Sequence, residues 1–209
     1  MVLASLFQPN TNLALHVQVT LSESASGFLL GSIVGFLLGV LVAESPLAAR
    51  TLLPYVIGSN AVPVIAIAPI LVLWFGHGLV SKTIVSAFLC FFPLCINTYR
   101  GITYATPLYN DLFSVYGSSR WQFFLKAKVP AAVPFIIAGA KLNATYAVVG
   151  AIVAEFIGAS AGLGFGMLQA SYSLDVPRLW AYIVVSVVMG MVFYGVVWAG
   201  DLLYLRRFE

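Results

Sequence analysis

Long stretches from which charge is missing constrain this chain more than any other feature. Residues 24–43 carry no charged side chain and lie between Glu23 and Glu44, and residues 51–81 lie in the same way between Arg50 and Lys82. A helix needs about 20 apolar residues to cross the hydrocarbon of a bilayer. Only 8% of the residues are charged, 61% are hydrophobic and the mean hydropathy is +1.01, whereas about a quarter of a soluble domain is charged. A water-soluble globular protein is excluded. What remains is an all-α integral membrane protein of about five transmembrane helices, built as one domain.

The punctuation sets the spans. An outer N-terminal segment at 1–20 precedes a single membrane domain at 21–205, and a tail follows at 206–209. Span one is residues 24–43. Span two covers about residues 55–75, and Pro54, Pro63 and Pro69 predict a kinked or unwound start for it. Span three runs from about 79 to 98 with Pro93 inside it. Residues 99–131 hold Arg100, Arg120, Lys126 and Lys128 against Asp111, and read as a structured polar loop. Span four, about 132–156, is apolar apart from Lys141, Asn143 and the closing Glu155; span five is about 179–203. The glycine-rich stretch 157–177 between them reads as an outer loop or a shallow re-entrant turn against protein. No signal peptide is expected, so insertion falls to the spans themselves.

Catalysis lacks parts. His16 and His77 stand at no metal-ligand spacing from Cys, Asp or Glu, no serine sits in a nucleophile elbow, and the glycines at 158–166 lack the lysine and hydroxyl of a phosphate-binding loop. Neither a catalytic nor a metal site is expected, and Cys90 and Cys95 receive no chemistry. A net charge of +3 is too small to argue for nucleic acid. Gly27, Gly31, Gly35 and Gly39 recur every fourth residue and lay bare backbone along one side of span one, for packing within the subunit or between subunits.

The segment Asp111-Leu-Phe-Ser-Val-Tyr-Gly117-Ser-Ser-Arg120-Trp121-Gln122, continuing to Pro130, is the most specific feature. It resembles the EAA loop of permease subunits in binding-protein-dependent ATP-binding cassette importers. Asp111, Gly117 and Pro130 occupy the pattern's acidic, glycine and proline places, whereas Phe113 stands where alanine is usual and Ala127 and Val129 replace isoleucine and leucine. Residues 62–69, Leu73 to Gly76, Phe91 to Pro93 and Ala154 to Gly164 resemble the nitrate, sulfonate and taurine branch of these permeases, and residues 141–151 look most like permeases for pyrimidine precursors of thiamine. Many such permeases carry a further N-terminal span.

The resemblance implies a transport subunit with no enzymatic activity and no cofactor of its own, ATP and Mg being held by two partner ATPases. A second permease subunit, homologous or identical, an extracytoplasmic solute-binding protein and membrane lipid complete the partners. Asp111, Tyr116, Gly117, Ser118, Ser119, Arg120, Trp121 and Pro130 then form the coupling element, with Asp111 starting a helix, Gly117 permitting a turn or close contact, and Pro130 ending the segment. Pro63, Asn97, Lys141, Asn143, Tyr146 and Glu155 are candidate pathway or gate residues, since ionisable groups inside a span face protein or a wet path. Asn143 and Tyr146, three residues apart, are expected on one helix face. Glu155 is a candidate cap for the glycine-rich stretch. The substrate classes implied are thiamine pyrimidine precursors, sulfonates, taurine, nitrate and riboflavin; an ion channel, a secondary carrier or a structural subunit are the other classes compatible with the spans alone.

Positive charge decides orientation. Arg50, Arg100, Arg120, Lys126, Lys128, Arg206 and Arg207 fall on one side and Lys82 and Arg178 on the other, which predicts an outer N-terminus and a cytoplasmic 99–131 segment in a prokaryotic plasma membrane. Single cysteines at Ser118 and Ala161, probed with an impermeant thiol reagent on intact cells, should react at Ala161 and not at Ser118; reaction at Ser118 alone reverses the topology.

Overall fold

The computed structural model describes residues 12–205. Its helices are α1 (Leu13–Glu44), α2 (Pro46–Ser59), α3 (Val64–Phe75), α4 (Leu79–Val115), α5 (Arg120–Phe123), a π-helical turn (Phe124–Lys128), α6 (Val129–Gly158), α7 (Leu163–Tyr172) and α8 (Val176–Leu205). No strand occurs among the described residues. In a bilayer only helices and closed barrels satisfy their backbone polar groups internally, so an apolar chain of this kind resolves into rods.

The glycine ridge builds the centre. Gly27 faces Ser86 and Ala87, Gly31 faces Ala87 and Cys90, Gly35 faces Phe91 and Cys95, and Gly39 faces Cys95 and Thr98. The ridge therefore packs inside the subunit. The residue numbers climb together, so α1 and α4 run parallel. On the other side of α4 the order reverses: Gly150 and the Ala147 carbonyl meet Ser86, the Asn143 carbonyl meets Cys90, and Gly139 meets Leu94 and Asn97. Helix α6 is antiparallel to α4. Helix α8 in turn pairs Asp201 with Lys141 at one end and carries Tyr182 against Gly166 of α7 at the other.

Parallel neighbours need a return crossing between them. Lys82 of α4 lies beside Glu23 near the start of α1, while Glu44 at the end of α1 lies beside Lys128. The chain thus travels from one end of the bundle to the other between residues 44 and 79. Four helices are long and apolar enough to cross alone, and the pair α2 and α3, bent by 98° at residues 60–63, supplies the fifth crossing. The break falls in the middle of the span rather than at its start. Pro63 caps α3, and its ring disfavours helical geometry at Val62; Pro54 and Pro69 are instead accommodated inside α2 and α3.

Three further boundaries differ from expectation. Residues 13–20 belong to α1, with His16 and Thr20 buried, so the outer segment shrinks to positions outside the described residues. The 206–209 tail lies outside them too. Helix α4 continues 37 residues through Pro93 and Pro107 to Val115, about 55 Å at 1.5 Å per residue and far longer than a bilayer core of about 30 Å. Residues 99–131 are accordingly two helical rods and a short turn, not a loop: charge marks where the membrane ends without ending the helix. Within 157–177, α7 is a real helix with Leu163, Gly164, Gly166, Met167 and Ala170 buried.

A Cβ at Gly31 would come within 2.3 Å of the Ala87 carbonyl oxygen, and one at Gly35 within 2.5 Å of the Phe91 carbonyl oxygen. Gly31→Leu should therefore lower stability by about 1–3 kcal/mol or more through overpacking, read as an earlier thermal transition in detergent. Gly190, which has nothing within 4 Å of such an atom, supplies the comparison: Gly190→Ala should unfold no earlier than the unsubstituted chain.

Candidate functional site

The coupling candidates converge on one turn. Tyr116 closes α4, Gly117 adopts φ +62°, and Ser119 caps α5. The left-handed backbone at 117 is cheap only for glycine, costing another residue about 1–2 kcal/mol. No atom lies within 4 Å of a Cβ built there, so the glycine serves the turn rather than a close contact. Ser118 donates from Oγ to the Phe113 carbonyl (2.8 Å), and its N–H reaches the same oxygen. Ser119 Oγ accepts the Gln122 N–H while the Gln122 side chain accepts the Ser119 N–H, a reciprocal capping box. The turn is thus rigid although exposed.

Two expected roles are corrected. Asp111 sits in the last turns of α4, not at a helix start; the cap belongs to Ser119. Pro130 does not end the segment: it lies two residues after the π-helical turn, and the helical run from Arg120 to Gly158 passes through it. What the turn presents outward is aromatic and cationic: Tyr116 is 79% and Trp121 67% exposed, with Arg120 and Lys126 exposed beside them. Phe113 is explained by its partner, the Phe123 ring at 5.2 Å between centroids.

At the opposite end of the bundle a polar joint closes around Glu155. Thr20 donates to Glu155 Oε1 at 2.6 Å, and the Gly164 N–H donates to Glu155 Oε2. The Leu163 N–H reaches Thr20 Oγ1 at 2.7 Å and the Gly162 N–H reaches His16 Nδ1 at 2.9 Å. Three consecutive N–H groups at the head of α7, which a helix leaves without internal partners, are each taken by a side chain from α1 or α6. Gly162 has φ +120°, and a Cβ there would lie 2.2 Å from the Glu155 carboxylate, so only glycine closes the joint. Lys82 stands 3.7 Å from Glu23 Oε1 and donates to the His77 carbonyl at 2.8 Å, both charged side chains being buried.

The remaining candidates separate. Asn143 is fully buried, donates to Ser32 Oγ at 2.9 Å and works as a helix-to-helix bond, whereas Tyr146 points away and is 42% exposed. Three residues advance a helix by about 300°; Asn143 lies near one edge of a broad buried stripe that includes Ala144, Ala147, Val148 and Ala151, and Tyr146 falls beyond that edge. Lys141 pairs with Asp201 at 2.6 Å, bracing α6 against α8. Asn97 donates to the Pro93 carbonyl (2.7 Å), and Pro63 sits exposed at the break of the bent span. Between α6 and α8 a groove of about 550 Å³ opens, with the hydroxyls of Thr145, Ser186 and Tyr194 set among Val148, Val149, Ile152, Val187 and Met191 and no charge in its lining.

Glu23, Lys82, His16, Thr20, Asp201 and the pair Glu44 and Lys128 were not legible as partners. His16, Thr20 and Glu23 do recur at i, i+4 and i+7, a polar stripe on an otherwise apolar helix and the one available signal.

Comparison with known proteins agrees with this geometry. Residues 31–199 match the family described as binding-protein-dependent transport system inner membrane component. A probable ABC transporter permease protein of Haemophilus influenzae is 36% identical over 179 residues, covering 86% of this chain and 73% of the relative. The formylaminopyrimidine transport permease protein ThiX of Halalkalibacterium halodurans is 35% identical over 176 residues (84% and 70%). A putative aliphatic sulfonates transport permease protein, SsuC of Bacillus subtilis, is 33% identical over 175 residues (84% and 63%). A match over this share of the chain, on a bundle of five crossings with an exposed capped turn, shows that the protein belongs to the inner-membrane permease subunits of binding-protein-dependent ABC importers.

Proposed function

We propose that this permease subunit pairs with a second copy or a close relative, takes its drive from two cytoplasmic ATPases through the turn at residues 116–119, and imports a small neutral heteroaromatic solute of the thiamine-precursor pyrimidine class. The N-terminus lies outside. An extracytoplasmic binding protein delivers the solute to the face that carries α7, and ATP and Mg act on the partner ATPases. The turn carries the reading. It is rigid, capped at both sides and exposed, it presents Tyr116 and Trp121 to solvent, and rods of about 55 Å lead away from it. Aromatic side chains ringed by cations make the energetic centres of protein interfaces.

The substrate class rests on less. The groove between α6 and α8 offers hydroxyls and apolar walls, and Lys141, Lys82 and Lys128 each stand beside a carboxylate. Nitrate or a sulfonate would call for a free cation. A neutral ring suits hydroxyl-dotted apolar walls better, in keeping with the formylaminopyrimidine permease among the relatives.

Purification from the native host in mild detergent, with mass spectrometry of the proteins that accompany the chain, tests the coupling. An ATPase should co-purify. Gly117→Trp should leave the spans inserted but abolish ATP-driven uptake, and Trp121→Ala should weaken ATPase association by about 2 kcal/mol, roughly thirtyfold. Absence of any ATPase across several detergents, or normal uptake by Gly117→Trp, would replace this reading with a channel or carrier. A binding protein captured in the same purification should bind formylaminopyrimidine in calorimetry; binding of an aliphatic sulfonate or nitrate alone would move the substrate class.

A further inference from the structure

Lys128 ends the π-helical turn that joins α5 to α6, and its ammonium lies 2.7 Å from Glu44 Oε1. The residue is 9% exposed, and the same ammonium stands over the Phe123 ring, 5.1 Å from its centroid. Phe123 meets Phe113 at the end of α4, immediately before the coupling turn. On the other side, Glu44 is the last residue of α1. Its neighbour Ser45 caps α2, accepting the Ala48 N–H at Oγ (3.2 Å), with Pro46 in the first position of the helix. Helix α2 is the first half of the bent span, and Val56 is its one buried residue. A line of direct contacts therefore joins the coupling turn to the least embedded half of a span: Phe113, Phe123, Lys128, Glu44, Ser45.

The arrangement has mechanical content. Helix α6 continues from the turn and carries displacement along its own axis, which leaves the corner between α1 and α2 without a covalent link to the turn shorter than about 70 residues. An ion pair held at hydrogen-bond distance, its ammonium largely buried and its carboxylate exposed, supplies that link. π-Helical turns are rare and frequent at functional sites. Here the turn carries Lys128, the residue that pairs with Glu44 among the described residues.

We propose that Lys128 is a positioning residue that relays displacement of the coupling turn through Glu44 to the bent span α2 and α3. The relay rests on the coupling role proposed above. The test uses the complete permease–ATPase complex in lipid nanodiscs, with nitroxides at Asn60→Cys in the break of the bent span and Ser173→Cys beyond α7. Cys90 and Cys95 are fully buried and remain unlabelled. Interspin distance is compared between the nucleotide-free complex and one trapped with ADP and vanadate.

In the otherwise unsubstituted complex, trapping should shift the distance. Lys128→Met should lose that shift while the ATPases still co-purify, Glu44→Gln, a milder change at a more exposed residue, should lose it as well, and the exchange of Lys128→Glu with Glu44→Lys should restore it. Restoration by exchange is a result that simple misfolding of the single variants does not give. A shift that persists in both single variants, or one already missing from the unsubstituted complex that does bind its ATPases, overturns the relay. Failure of the ATPases to accompany the unsubstituted chain removes the coupling reading itself, and the two failures are told apart by the purification alone.

Discussion

Backbone-to-backbone packing between α1 and α4 is the contact on which the rest of the bundle depends. In hydrocarbon there is no hydrophobic drive to bring helices together, so close van der Waals approach has to do it. Four glycines at a spacing of four provide that approach, setting α1 against the carbonyls of Ala87, Phe91 and Cys95. Along this ridge the two helices run parallel. From that one geometric fact follow the return crossing by α2 and α3, the bend that lets a proline-interrupted segment make it, and the odd number of crossings that puts the described ends of the chain on opposite faces.

Charge then fastens what packing has aligned. Glu23 and Lys82 sit together near one end of α1 and α4, Glu44 and Lys128 near the other, and Lys141 and Asp201 between α6 and α8. Each pair joins helices distant in sequence. A buried charge left without its partner is costly, so each pair resists the sliding along the rods that apolar side chains alone would allow. At Glu155 the same logic extends to backbone: a carboxylate, a hydroxyl and an imidazole take three N–H groups at the head of α7, whose Leu163 and Met167 are buried in the core beside Tyr182.

The fold class, the crossings and a turn at Gly117 were legible because each rests on local pattern: uncharged runs of span length, and a glycine in a polar segment between them. Partnership was not. Glu23, Glu44 and Lys82 read as punctuation between spans, since a charge at the edge of an apolar run ordinarily lies in water; in the bundle Glu23 and Lys82 are buried beside each other, while Glu44, itself exposed, pairs with Lys128. Asp111 and Pro130 carry helix-boundary signals that tertiary packing overrode, because α4 and α6 are long enough to run past them. The cap moved to Ser119, whose partner Gln122 three residues on was visible in the sequence but stood next to a stronger family pattern. Spacing alone puts Tyr146 on the face of Asn143, but the buried stripe of α6 extends from Asn143 through Ala144, Ala147, Val148 and Ala151 on the side away from Tyr146.

A rigid turn between two rods has a consequence for how work crosses the membrane boundary. Gly117 lets the backbone take the left-handed turn, while the bonds of Ser118 to Phe113 and the capping box at Ser119 resist local displacement of residues 116–119. Displacement is then passed on along α4 or α6. Helix α4 is clamped by the glycine ridge on one side and by Gly139 and Gly150 of α6 on the other, so these helices move as a unit with α1. Outside that clamp, α3 packs Ala68 against Val85 and Ala154, and α7 packs Leu163 and Met167 against Val148, Tyr182 and Met189, so α2, with Val56 as its one buried residue, is of the three the segment least held by packing.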